Sequence, residues 1–254
     1  MLKTRIIPCL LFNGFCLVKT IQFGRERTLG NPIQFARVYN SRNVDELIFI
    51  DITASQEKRD PVFHLIADIF NECFMPLAVG GGIHTMEHVD RLMRIGADKI
   101  IINSEAINNP AFITKIAGKY GSQSVVIAID VKYDHNEHFV FYNRAEKNTG
   151  LKVVDWARQI EALGAGEIFL NSIDKDGTMR GYDLELIKKV VQAVSLPVIA
   201  CGGAGTIQHV VDAVQKGKAD AVSLASLFHF TGETPNRVKE ALDRSGVPVR
   251  LVTN

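Results

Sequence analysis

The sequence predicts an α/β chain folded as a single (β/α)8 TIM barrel, and three observations carry that prediction. The chain has 254 residues, the usual size of one such barrel and enough to bury roughly 70–75% of its unfolded surface. Eight short β-branched runs alternate with amphipathic segments of helical period. The sequence also repeats itself at half its length, which suits a closed barrel built from two four-strand halves.

Taken in order, the first run spans residues 5–11 (RIIPCLL), and the apolar stretch around it is too short to cross a bilayer, so it opens the barrel as a strand. A helix is expected over 32–42, then the run 46–52 (ELIFIDI) and a helix over 61–73. The third pair is 76–80 (PLAVG) with 85–95, and the fourth is 99–103 (KIIIN) with 110–119. The second half continues with 124–130 (SVVIAID) and 153–163, then 167–171 (EIFLN) and 183–194. It closes with 197–201 (PVIAC) and 207–216, then 221–225 (AVSLA) and 235–245. Nearly every residue of these runs is apolar, as strands covered by helices on one face and by a packed interior on the other should be. A doubly wound sheet is the competing fold. It splits its strands around a crevice and offers no reason for the internal repeat.

Composition narrows the function classes. Hydrophobic residues make up 46% and charged residues 22%, an ordinary globular mixture without the bias of disorder. Lys plus Arg at 29 against Asp plus Glu at 28 gives no net pull toward nucleic acid or an anionic membrane. Cys9, Cys16, Cys73 and Cys201 are scattered, lack metal-ligand spacing and follow no secretory signal. A reduced, cytoplasmic protein without a bound metal is therefore expected.

The repeat locates the chemistry. PLAVGGGIHTMEHVDRLMRIGAD (76–98) aligns with PVIACGGAGTIQHVVDAVQKGKAD (197–220) with one inserted residue, pairing Gly81 with Gly202, Gly82 with Gly203, Thr85 with Thr206 and His88 with His209. ELIFIDIT (46–53) echoes EIFLNSID (167–174), so the half-barrels are expected near 1–122 and 123–254. Both Gly-Gly turns follow strand ends, where glycine lets backbone approach a ligand and helix-start N–H groups suit phosphate. Asn103 with Ser104, and Ala225 with Ser226, end the neighbouring strands and complete two sites for a ligand phosphorylated at both ends. Tight turning alone is the plainer explanation, and two symmetry-related turns weigh against it. Asp130 ends its apolar run where barrels usually carry catalytic residues, although it could instead cap the next segment. Asp51, Asn171, Asp174, Asp176 and Thr178 gather near the same mouth, with a solvated acidic loop as the plainer reading of the two loop aspartates. At the opposite end Arg5, Glu46, Lys99 and Glu167 begin four runs, as a salt-bridged barrel floor would.

The motifs FIDITAS, VGGGI, NTG, DKDGT and ACGGAG, with the full layout from residue 5 to 250, resemble the cyclase subunit of imidazole glycerol phosphate synthase. The resemblance implies a glutaminase subunit docked on the strand-start face, ammonia passing through the barrel, and a phosphorylated ribulosyl ligand at the mouth. It implies no cofactor. It carries phosphate or ligand binding onto Gly81, Gly82, Asn103, Ser104, Asn171, Asp176, Gly177, Thr178, Gly202, Gly203 and Ser226. It carries the loop lysine onto Lys19, one catalytic carboxylate onto Asp130, the ammonia gate onto Arg5, Glu46, Lys99 and Glu167, and a glutaminase contact onto Asp98. Where the family places its other catalytic aspartate, this chain has Leu11, and the internal repeat sets the same Leu11 against Asp130. Leucine exchanges no proton, a contribution typically worth roughly 10²–10⁴-fold in rate. The leading expectation is thus a specialised relative that delivers ammonia for amidation of another metabolite, such as a bacterial surface sugar, beside a separate ATP-dependent sugar amidotransferase. The alternatives are a histidine-biosynthesis cyclase forming imidazole glycerol phosphate and AICAR, and a non-catalytic structural subunit.

Overall fold

A computed structural model describes residues 3–251. In chain order the strands are β1 (Arg5–Phe12), β2 (Leu17–Thr20), β3 (Glu26–Gly30), β4 (Leu47–Asp51), β5 (Leu77–Gly80), β6 (Lys99–Ile102), β7 (Val125–Asp134), β8 (Glu137–Tyr142), β9 (Lys147–Lys152), β10 (Glu167–Ser172), β11 (Val198–Cys201) and β12 (Ala221–Leu224). Eight of them pair in parallel in the order β1, β4, β5, β6, β7, β10, β11, β12, and β12 returns to β1 through the register Arg5 to Ala221. The sheet closes on itself as a (β/α)8 barrel.

The helices are α1 (Pro32–Ser41), α2 (Phe63–Glu72), α3 (Met86–Ile95), α4 (Ser104–Asn108), α5 (Ala111–Tyr120), α6 (Val153–Ala162), α7 (Leu184–Val191), α8 (Ile207–Gln215), α9 (Ser226–Phe230) and α10 (Pro235–Arg244). Eight match the expected segments to within a few residues. The short α4 and α9 were not foreseen, because five residues are too few for a periodic signal. None of the described helices is long and apolar enough to cross a membrane.

Period-two alternation divides the core. Ile6, Leu10 and Phe12 of β1 point outward into the large cluster shared with the helices, whereas Ile7 and Cys9 point inward with Ile48, Ala78, Ile101, Val126, Ala128, Phe169, Ile199 and Ala221. Both faces of each strand are thus buried in apolar surroundings, the physical reason the runs lack polar residues until they reach the mouth.

Two hairpins depart from the expectation. β7 runs on past Asp130 to Asp134 and turns through His135 (φ 45°) and Asn136 (φ 62°) into β8, which pairs with β9. Two successive left-handed residues match the twist of a tight hairpin, and the absence of glycine in that turn hid it from the sequence. β1 likewise folds back onto β2, and β2 pairs β3. Both hairpins rise at the mouth.

Candidate active site

The mouth opens a cavity of about 820 Å³ lined by residues from nearly every barrel strand and both hairpins. Its two glycine turns need glycine for space as well as conformation. A Cβ on Gly81 (φ +102°) would lie 2.2 Å from the Asp51 carbonyl oxygen, and one on Gly203 (φ +109°) would lie 2.1 Å from the Gly181 carbonyl oxygen. After each turn a threonine caps a helix: Thr85 Oγ1 accepts from His88 N at 3.2 Å, and Thr206 Oγ1 accepts from His209 N at 3.3 Å. The neighbouring strand ends repeat the same backbone, with Asn103 at φ −127°, ψ −85° and Ala225 at φ −129°, ψ −72°. Gly81, Gly82, Asn103, Ser104, Gly202, Gly203 and Ser226 all line the cavity. The Ser226 hydroxyl and Asn171 Oδ1 are buried and have no partner within the chain.

Asp130 lines the cavity from β7 and accepts from Asn103 Nδ2 at 3.1 Å. Burial pushes its carboxyl up to about 7 and the neighbouring Asp176 adds to the rise, while the amides of Asn171 and Asn103 pull it back. A carboxyl that gains and loses its proton near neutrality is suited to general acid and base work. Leu11 lines the same cavity and packs with Ile50 and Cys201 against the barrel interior. No second proton carrier stands at its position.

Lys19 reaches the cavity with its charge already engaged. Its Nζ donates to Asp176 Oδ1 at 2.6 Å and to the Thr20 carbonyl at 3.0 Å, while Thr20 Oγ1 donates to Asp176 Oδ2 at 2.8 Å. Asp176, from the loop after β10, therefore staples the β2–β3 hairpin across the mouth. Gly177 lines the cavity beside it. Thr178 turns away: its hydroxyl donates to the Lys175 carbonyl at 2.8 Å, and it is not part of the cavity wall. Asp51 accepts from Arg59 through both oxygens, at 3.0 and 3.2 Å, and from the backbone of Thr53 and Ala54. It shapes a loop and is not free for a ligand. Asp174 Oδ2 accepts from the Tyr133 amide at 2.8 Å and holds the second hairpin.

Sequence reasoning missed Arg59 and Arg144, which add positive charge to the cavity wall. Arg144 crosses from the turn between β8 and β9 to Glu26 at 3.0 Å. Nothing local distinguishes either arginine from a solvated surface residue, because their partners lie on other loops.

The floor is a closed ring of charges. Arg5 bonds Glu46 at 2.7 Å and Glu167 at 2.9 Å, and Lys99 bonds the same two carboxylates at 2.7 and 3.0 Å. Glu46 is 2% exposed, and its Oε1 has no partner. The interior between floor and mouth is apolar, lined by the inward cluster described above. Beside the floor, Asp98 Oδ2 accepts from the Leu77 amide at 2.8 Å, so this carboxylate also anchors β5.

A closed β/α barrel with paired glycine turns at one end and a ring of alternating charges at the other places the chain among the (β/α)8 barrel proteins. Residues 5–234 match the family described as "Histidine biosynthesis protein". The chain is also 46% identical over 251 residues to the imidazole glycerol phosphate synthase subunit HisF of Alkaliphilus metalliredigens (strain QYMF), covering 98% of this chain and 100% of that one. The chain belongs to this HisF family of histidine biosynthesis proteins.

Proposed function

We propose that the chain is the cyclase-type subunit of a glutamine-dependent imidazole glycerol phosphate synthase, taking ammonia from a HisH-like glutaminase at its floor and using it on a doubly phosphorylated ligand at its mouth. The observation that carries this reading is a single axis on which the charged floor, an apolar interior and Asp130 between two glycine turns succeed one another. An apolar interior admits neutral ammonia and turns back ammonium, whose desolvation is far more costly. The glycine turns and helix starts hold the two phosphates, and Asp130 moves protons during addition and ring closure. The similarity to the Alkaliphilus subunit supports this cyclase reading over the sugar amidation that the sequence led us to expect.

One observation favours the amidation reading as a second possibility. Leu11 stands where the repeat would pair a carboxylate with Asp130, so the proton transfers of a two-carboxylate mechanism lose one of their two groups. In that reading ammonia leaves the mouth for a separate ATP-dependent sugar amidotransferase. The experiment is turnover of the family's phosphoribulosyl substrate by the purified chain with excess ammonium salt at pH 8.5. Formation of imidazole glycerol phosphate supports the cyclase. Absence of product from both the folded protein and a Leu11→Asp variant overturns it in favour of amidation.

A further inference from the structure

Beside the first glycine turn, Asp60, His84 and His88 bring one ring nitrogen of each histidine and one carboxylate oxygen within 4.8 Å of one another. We propose that these three side chains bind a divalent transition metal ion of the imidazole-preferring kind, such as zinc, nickel or cobalt, which joins the loop after β4 to the turn after β5. Two histidines and a carboxylate are a donor set for such ions and leave further positions for water.

The hydrogen bonding prepares both rings as ligands. His84 Nδ1 lies 2.8 Å from the Gly82 carbonyl, which can only accept, so the proton sits on Nδ1 and the lone pair on Nε2. A backbone carbonyl fixing the tautomer in this way is a recurrent support for metal-binding histidines. His88 Nε2 lies 3.3 Å from Asp60 Oδ1, while its buried Nδ1 has no partner. With the proton on Nε2, the lone pair on Nδ1 meets no donor; with the proton on Nδ1, the lone pair on Nε2 faces a carboxylate. In either tautomer one lone pair of His88 is left unused by the chain, and a cation beside Asp60 takes up the Nε2 lone pair of the second.

The other half of the barrel shows what the position looks like without such a site. There Gly205 replaces His84 in the repeat, and His209 Nδ1 accepts from the Gly205 amide at 3.2 Å. Its lone pair is used, and no second imidazole stands beside it. Asp60 is 70% exposed at its side chain, so an ion reaches the cluster from solvent without unfolding any element.

The test is calorimetric titration of the full chain, stripped with chelator, with zinc chloride at pH 7.5, and thermal unfolding with and without zinc. One zinc per chain is expected, with a raised melting temperature. His84→Ala and His88→Ala should each weaken binding by more than about 10-fold, and Asp60→Asn should weaken it as well. His135→Ala, in an exposed turn, should bind as the parent does. His84 and Asp60 are exposed, so their variants keep the test valid if His88→Ala fails to fold. Absence of zinc binding, or binding that survives both His84→Ala and Asp60→Asn and therefore belongs to the thiols, overturns the proposal.

Discussion

Asp130 and Leu11 line one cavity with opposite chemistry. The folded chain holds the Asp130 carboxyl at about 7, whereas an unfolded chain leaves it near the usual ~3.9. The folded state thus binds the proton more tightly, and keeping Asp130 ionised costs stability. That penalty is complete above pH 7, shrinks as the pH falls through 7, and vanishes below the unfolded value. Asp130→Asn should therefore raise stability at pH 8 by about 1–3 kcal/mol, with a smaller gain at pH 5, as read from urea midpoints at the two values. The same variant should lose roughly 10²–10⁴-fold in any turnover that uses Asp130. Leu11→Asp works in the other direction. It places a carboxyl where Leu11 packs against the apolar inward cluster and should cost about 1–3 kcal/mol in thermal or urea unfolding, while cyclase turnover rises at least about 10-fold by supplying a second proton carrier. Where the parent turns over, a variant no faster than it would show that a second carboxyl at this position does not limit the reaction.

At the scale of elements, the β2–β3 hairpin is held by one buried staple. Lys19 and Asp176 are 4% exposed each and meet at 2.6 Å. Removing one partner of such a pair leaves an uncompensated charge, at a cost of about 3–5 kcal/mol. Lys19→Met should release the hairpin more than the barrel. Amides of residues 17–30 are expected to exchange faster with deuterium, while those of β4 to β6 stay protected. Uniformly faster exchange would instead mean that the staple supports the whole barrel. The eight barrel strands and eight longer helices were legible because each carries its own period over several residues. The hairpins were less so: β3 reads ERTLG, with polar residues leading, and β8 reads EHFVFY after a turn without glycine. Their stability comes from pairing with extensions of the barrel strands, which no short window contains.

For the whole molecule, the floor ring couples four strands. Each cation holds both carboxylates, so deletion of Lys99 leaves Glu46 and Glu167 bound by Arg5 alone. Lys99→Ala should lower stability by about 1–3 kcal/mol. In a reconstituted complex with the glutaminase it should lower glutamine-driven product formation several-fold relative to formation driven by free ammonium. Partner affinity, measured separately, should fall less. Equal losses with both nitrogen sources would remove the gating role and leave the ring as a structural floor.

The amino-acid sequence by itself determined the barrel, the order of its elements, the two glycine turns and the four charged residues at or just before strand starts, since period, turn chemistry and repetition are written within short stretches of chain. Closure of the sheet decided what those residues do to one another. Arg5, Glu46, Lys99 and Glu167 form a ring because four strands meet at one end. Lys19 is spent on Asp176 from a loop 157 residues away, Asp60 meets His84 and His88 across two loops, and Asp130 is raised by burial and by Asp176. Ion pairing and desolvation depend on distances through space and on the exclusion of water, and both come into being only when distant strands are brought together.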